Sequence, residues 1–189
     1  MRLNLGCGTD VRDGYENVDF RKTHPDVREA DLSVFPWPFA DGSADEIMML
    51  DFLEHFPYRS TMKILQECSR VLKFNGTLII QVPDGEILGA VLSKGRAYPC
   101  NACGVWLNDS CVRADYECWK CGQSDSDIEE AAMMRLFGGQ DFPGNFHHTV
   151  FTGDSLKLKA AKCGFSFVTL EEKAHQTANW NFKARFFKR

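Results

Sequence analysis

Short apolar runs separated by polar, glycine- and proline-bearing stretches pattern the first eighty residues. Leu3 to Leu5 predicts a first strand, Glu16 to Phe20 a second, Val27 to Ala30 a third and Ile47 to Leu50 a fourth. The period then changes. From Ser60 to Leu72, Ile64, Leu65, Cys68, Val71 and Leu72 share one face while Lys63, Gln66, Glu67 and Arg70 fall mostly opposite, which predicts a helix capped by Ser60. Asn75-Gly76 reads as a turn, and Thr77 to Val82 is a β-branched, apolar strand stopped by Pro83. Asp154 to Cys163 predicts a second helix with Gly164 as its stop, and Phe165 to Leu170 and Asn179 to Phe187 predict two more strands.

Strands alternating with helices imply an α/β fold with a mostly parallel sheet. The early connections are unusually short: about seven residues separate Gly8 from the second strand, and six lie between Phe20 and Val27. Parallel crossovers normally need a dozen or more, usually with a helix, so the first crossover helices are expected to be reduced or absent. One half of the sheet then lacks its cover. The proline-aromatic loop Val34 to Phe39, the C-terminal segment or a second copy in a homodimer could supply it.

The first strand runs directly into Gly6-Cys7-Gly8. A strand ending in Gly-x-Gly brings backbone N–H groups close to a nucleotide-like ligand, where side chains would block the approach. By itself the motif equally describes a tight turn. Asp19 closes the second strand, where a carboxylate can accept from ribose hydroxyls or simply form a turn. A nicotinamide-type unit fits poorly: Val11 stands where a third glycine would open a helix, and Asp19 comes only thirteen residues after Gly6.

The order LNLGCG, NVD, DL, LEH, RVLK and VPD resembles the class I S-adenosylmethionine-dependent methyltransferases, within the small "predicted methyltransferase" group similar to methyltransferase type 11. That resemblance implies a doubly wound, Rossmann-like sheet of seven strands and S-adenosylmethionine as cofactor. It assigns the methionine end to the turn of Asn4, Gly6, Cys7 and Gly8, and the ribose to Asp19. Phe20 would lie against the adenine, Asp31 and Leu32 would contact it, and Leu50 and Asp51 would line the methyl region. A third glycine common in the family is replaced here by Asp10.

Methyl transfer is an in-line displacement governed by alignment, and a base is needed only for a weakly nucleophilic acceptor such as a hydroxyl. Candidate catalytic residues are His55, Asp84 and the His147-His148 pair, one of which should face the pocket if the segment is extended. His55 can also be read as a packed residue. The Asn/Asp-Pro-Pro-aromatic signature associated with base-amine and glutamine-amide methylation does not follow the fourth strand. The expected acceptor is therefore a small molecule or a saccharide group. A nucleic-acid or protein acceptor, or a non-catalytic cofactor-binding scaffold, are the alternatives.

Cysteine content changes the picture in one place. Five of the eight cysteines fall between positions 100 and 121. Cys100-x2-Cys103-Gly and Cys118-x2-Cys121-Gly, fourteen residues apart, form two matching knuckles. Four thiolates on two such turns predict a closed, structural zinc site (or iron in its place), with Cys111 left over. The expected organisation is one domain over 1–189 with a zinc-ribbon-like insertion at 96–126. Its basic residues, Arg96, Arg113 and Lys120, are outnumbered by Asp109, Asp115, Glu117 and Asp125, which disfavours phosphate tracking. Net charge −4 likewise gives no bulk attraction to nucleic acid or an anionic membrane. With no 18-residue apolar run and a glycine motif where a signal segment would lie, a cytoplasmic location is expected.

Overall fold

The computed structural model describes residues 1–93, 98–100, 106–107, 120–122, 125–172 and 180–189. Its elements are β1 (Arg2–Leu5), β2 (Glu16–Asp19), β3 (Val27–Glu29), β4 (Ala44–Leu50), α1 (Thr61–Val71), β5 (Leu72–Pro83) and α2 (Gly85–Ser93), then β6 (Tyr98–Pro99), β7 (Trp106–Leu107), α3 (Asp125–Phe137), α4 (Gly153–Lys162), β8 (Phe165–Glu172) and β9 (Asn181–Lys188). A 3-10 turn, Leu53–His55, follows β4. Seven strands form one sheet in the order β3-β2-β1-β4-β5-β9-β8. The first five are parallel, and β9 runs antiparallel between β5 and β8. Strand order reverses at β1, so a crevice opens where the loops after β1 and β4 part. No described helix is long and apolar enough to cross a membrane.

Strand burial explains this arrangement. Leu3, Leu5, Ile47, Met49, Leu78, Ile80 and Val82 pack beneath α1 and α4, where Ile64, Leu65, Cys68, Val71, Leu156 and Ala160 complete the core. The loop after β3 joins that core: Trp37 is only 2% exposed, with its indole N–H donating to Leu32 O at 2.9 Å. Arg70 from α1 ties the loop down by donating to the carbonyls of Phe39 and Trp37. Five steps along β5, from Leu72 to Thr77, stand opposite only two steps of β4, from Ala44 to Glu46. Asn75, at φ 61°, lies in this bulge, so α1 passes straight into β5 with Asn75-Gly76 inside the strand.

None of the connections β1–β2, β2–β3 and β3–β4 contains a helix, and all of their residues are described. On the sheet face opposite α1, Asn17, Asn4, Met48, Ile79 and Arg185 stand side by side across five strands. Hydrogen bonds hold the first connection where a crossover helix would otherwise pack. Asn4 Nδ2 donates to Asp10 O (2.7 Å) and Asn17 Oδ1 (2.9 Å), and Asn17 exchanges bonds with the Arg12 backbone. Both asparagines are buried, and their amides satisfy the loop's own polar groups. The short connection is thus specified by a pair of polar side chains.

Helices α2 and α3 were not legible from periodicity. They pack together through Leu88, Val91, Ala132, Trp180 and Cys100 into a second, smaller core. Between them β6 and β7 pair as a minimal antiparallel hairpin.

Candidate active site

The crevice at the carboxyl ends of β1, β2 and β3 is a cleft of about 310 Å³. Gly6, Gly8, Asp19, Phe20, Asp31, Leu32 and Asp51 line it, together with Arg21, Phe52, His55, Phe56 and the loop residues Phe142, Gly144 and Asn145. Asn4, Cys7 and Leu50 are not among the lining residues. Asn4 lies behind the turn as its hydrogen-bonded anchor. Cys7 is buried, and burial with the neighbouring Asp19 carboxylate pushes its thiol up to about 11, so it stays protonated.

Gly6 and Gly8 both take left-handed φ, +67° and +52°. A Cβ on Gly6 would fall inside the ring of Phe52, whereas one on Gly8 would meet nothing within 4 Å. The first glycine lets the chain turn under an aromatic ring, and the second keeps the floor clear. Asp19, buried at the end of β2, accepts from Gly8 N–H through Oδ2 and from Arg21 N–H through Oδ1, at 2.8 and 3.1 Å. Each oxygen still has acceptor capacity for a further donor. Asp31 is exposed on the opposite wall, its carboxyl held below the usual range by hydrogen bonds from the Ser33 hydroxyl and N–H. At the mouth, the Arg21 guanidinium stands 3.9 Å from the Phe142 ring centroid and 5.1 Å from that of Phe20. This bridges the β2 end to the loop before His147.

A second cleft, about 430 Å³, adjoins the first. Asp51, His55 and Asn145 line both, while Glu54, Arg135, Gly138, Gly139 and His147 belong to the second alone. The 3-10 turn after β4 and the segment 147–149 are stitched together here. His148 and Thr149 N–H both donate to Glu54 O, and Thr149 Oγ1 donates to Phe56 O. The result sets the His55 and His147 rings nearly perpendicular, 82°, with centroids 4.7 Å apart. His55 Nδ1 lies 3.2 Å from Phe146 O and His147 Nδ1 lies 2.7 Å from Arg135 O. Burial lowers the pKa of both imidazoles, which favours neutral rings with Nδ1–H donating and Nε2 carrying the lone pair.

His148 points away and is exposed. Asp84 lies elsewhere: its Oδ1 accepts from Glu86 N–H at the start of α2, and it lines neither cleft. Asp51, at φ 50°, accepts from Gln81 Nε2 and Asn181 Nδ2, so β5 and β9 fix its carboxylate between the clefts. Sequence reasoning missed Glu54, Arg135 and the aromatic wall Phe52, Phe56 and Phe142. The acid immediately before His55 was the available signal for Glu54, while α3 and the 138–145 loop carried none.

Of the predicted metal ligands, Cys103 and Cys118 lie outside the described residues, as does Cys111. Cys100 is buried against the α2–α3 core, and its Sγ stands 3.7 Å from Sγ of Cys121.

Comparison with known proteins bears on the fold. The family model for the methyltransferase domain matches residues 7–80. No curated protein sequence matches the chain significantly. Among solved structures, a SAM-dependent methyltransferase from Methanosarcina mazei superposes with a TM-score of 0.59 at 16% identity, over 99% of this chain and 91% of that one. A SAM-dependent methyltransferase from Archaeoglobus fulgidus gives 0.58 at 13% identity, over 99% and 85%. The 1,6-didemethyltoxoflavin-N1-methyltransferase of Burkholderia thailandensis, solved with its substrate and S-adenosylhomocysteine, gives 0.53 at 12% identity, over 99% and 70%. The chain therefore has the fold of SAM-dependent methyltransferases, and its residues 7–80 match the methyltransferase domain model.

Proposed function

We propose that the chain is an S-adenosylmethionine-dependent methyltransferase acting on a small molecule or a saccharide group. The observation that carries this reading is the convergence of Asp19, Asp31 and the Gly6–Gly8 turn on one cleft at the sheet's switch point. Asp19 would accept from the ribose diol and Asp31 from the adenine amino group, with Phe20 and Leu32 against the base. The opened turn would take the methionine portion. When bound, the cofactor supplies an activated methyl group on a sulfonium.

The second cleft is then the acceptor side, since it meets the first at Asp51 and His55. In transfer to a hydroxyl, the acceptor oxygen forms the new bond to carbon as the carbon–sulfur bond breaks, its electron pair passing to sulfur. The hydroxyl proton must go to a base. His55 and His147, neutral and oriented by their Nδ1 bonds, offer Nε2 lone pairs on that side. The experiment is calorimetric titration with S-adenosylhomocysteine, followed by an acceptor screen reading its release. Absence of cofactor binding would sink the reading.

The insertion is read as a zinc knuckle of Cys100, Cys103, Cys118 and Cys121. Two thiolates on one tetrahedral zinc, with bonds of about 2.3 Å, stand about 3.8 Å apart. The 3.7 Å between Cys100 and Cys121 fits that spacing and is far too long for a disulfide. Such a closed site would be structural, holding the hairpin against α2 and α3. The acidic balance of the insertion supports a role in covering a small acceptor over one in binding nucleic acid.

A further inference from the structure

Glu54 is the anomaly of the acceptor side. Its side chain is 1% exposed, and neither carboxylate oxygen has a hydrogen-bond partner among the described residues. Burial and the nearby Asp51 raise its pKa well above the usual carboxylate range, with Arg135 opposing. A buried acid left this way costs stability unless something else occupies its lone pairs.

That something is indicated by its neighbours. Glu54, His55 and His147 each offer one ligand atom, and the three atoms lie within 4.8 Å of one another. The Nδ1 of each histidine meets a backbone carbonyl, Phe146 O or Arg135 O, so coordination through Nε2 would leave that contact intact. This is the way metal-ligating histidines are ordinarily held, with the second nitrogen fixing tautomer and ring direction. Two ligands of one tetrahedral ion with bonds of about 2.1 Å stand about 3.4 Å apart, so the three side chains would draw together on binding it.

We propose that Glu54, His55 and His147 bind a divalent transition-metal ion, of the zinc class, at the junction of the two clefts. Two imidazoles and one carboxylate suit zinc or a neighbouring first-row ion better than magnesium or calcium, which prefer all-oxygen sets. Three protein ligands leave coordination positions open toward the cleft, unlike the closed four-thiolate site. Asp51 adds a second negative charge on the same wall, and Arg135 is the one described cation lining it. The open positions would hold an acceptor oxygen and lower the pKa of its hydroxyl, whose proton then leaves to solvent while both imidazoles serve as ligands. This role rests on the methyltransferase reading; the binding of the ion does not.

The test uses the full chain, stripped with a chelator and titrated with Co²⁺ as the probe. Thiolate charge-transfer absorption reports the cysteine knuckle. The expected result is a further equivalent with ligand-field bands and no thiolate intensity. His147→Ala and Glu54→Gln should each weaken that equivalent at least about tenfold, leaving the thiolate signal and the circular dichroism unchanged. The proposal is overturned if the further equivalent is missing from the parent chain, or keeps its affinity in both variants. A parallel S-adenosylhomocysteine titration separates the two readings. Cofactor binding without the further equivalent overturns the ion site alone, and the converse overturns the methyltransferase reading alone.

Discussion

The Gly8 N–H donates to Asp19 Oδ2 at 2.8 Å, so the acid that ends β2 also holds the turn that ends β1. A second bond, from Arg21 N–H to Oδ1, fixes the carboxylate plane. Asp19 therefore orders the cleft before any ligand arrives, and preorganisation of this kind reduces what binding must later supply. Its remaining lone pairs are directed by the same bonds that shape the floor.

Replacing Asp19 should accordingly remove two things together. Asp19→Ala is expected to abolish detectable S-adenosylhomocysteine binding by calorimetry. Asp19→Asn keeps the shape but loses the charge, and hydrogen bonds to charged groups contribute about 1.5–3 kcal/mol, so affinity should fall by roughly tenfold or more. Near-normal affinity in the alanine variant would show that the ribose is not held at β2.

The two turn glycines should respond differently. Gly6→Ala places a methyl group inside the Phe52 ring and should destabilise the fold by about 1–3 kcal/mol through overpacking, beyond the cost of its positive φ. Gly8→Ala meets no neighbouring atom, so its stability loss should be confined to the backbone cost of about 1–2 kcal/mol. Its methyl group instead projects into the cleft and should sharply weaken cofactor binding. Denaturant unfolding and calorimetry on both variants check the contrast. Equal losses of stability, or intact binding in Gly8→Ala, would count against this geometry.

What was legible in the sequence follows from where the signals are local. β1, β2, β3 and β4 were read because each is a short apolar run ended by a turn residue or acid, and Asp19 and Asp31 sit at those ends. The reduced crossovers were legible because chain length alone limits them. Helix α2 was not, because GEILGAVLS is apolar on nearly every side and gives no helical period. Nor was α3, whose DSDIEEAAMMRLF carries apolar residues without a clear stripe. The acceptor side depends on α3 and the loop after it, which bring His147 to His55 across ninety-two residues of chain. No local pattern encodes that approach. The Asn4–Asn17 pair was half visible: Asn4 could be read as fixing the turn, but its partner appears only once β1 and β2 are in register.

Glu67 should govern how firmly the Trp37 loop stays in the core. Its carboxylate accepts from Trp37 N–H at 2.8 Å and from Arg70 through both oxygens. The Arg70 hydrogen bond holds its pKa below the ordinary value of 4.5. A lowered folded-state pKa means that this stabilisation is complete above about pH 4.5 and is lost as pH falls through the folded value. Glu67→Gln should cost about 1–2 kcal/mol at neutral pH, with the gap from the parent chain closing in acid. Chemical denaturation at neutral and acid pH measures it, and a gap that stays constant would mean the charge contributes nothing.

Glu54 should behave in the opposite sense. Its buried oxygens have no hydrogen-bond partner among the described residues and it lies beside Asp51, so in chelator-treated protein an apolar side chain of similar length should be preferred there. Glu54→Met is expected to raise unfolding stability by about 1–3 kcal/mol, the usual cost of burying an unpaired polar group, and to raise Tm with it. Residues that destabilise a fold while lining its cleft are the mark of a site kept for function. Adding Co²⁺ should then reverse the order. A ligand that binds only the folded chain raises its stability by mass action, and the parent chain retains Glu54 as a ligand while the variant does not. Thermal unfolding of both proteins with chelator and with Co²⁺ provides the four measurements needed. If Glu54→Met is less stable even in chelator, the carboxylate has a partner in solution, and the case for an ion at Glu54, His55 and His147 loses its first observation.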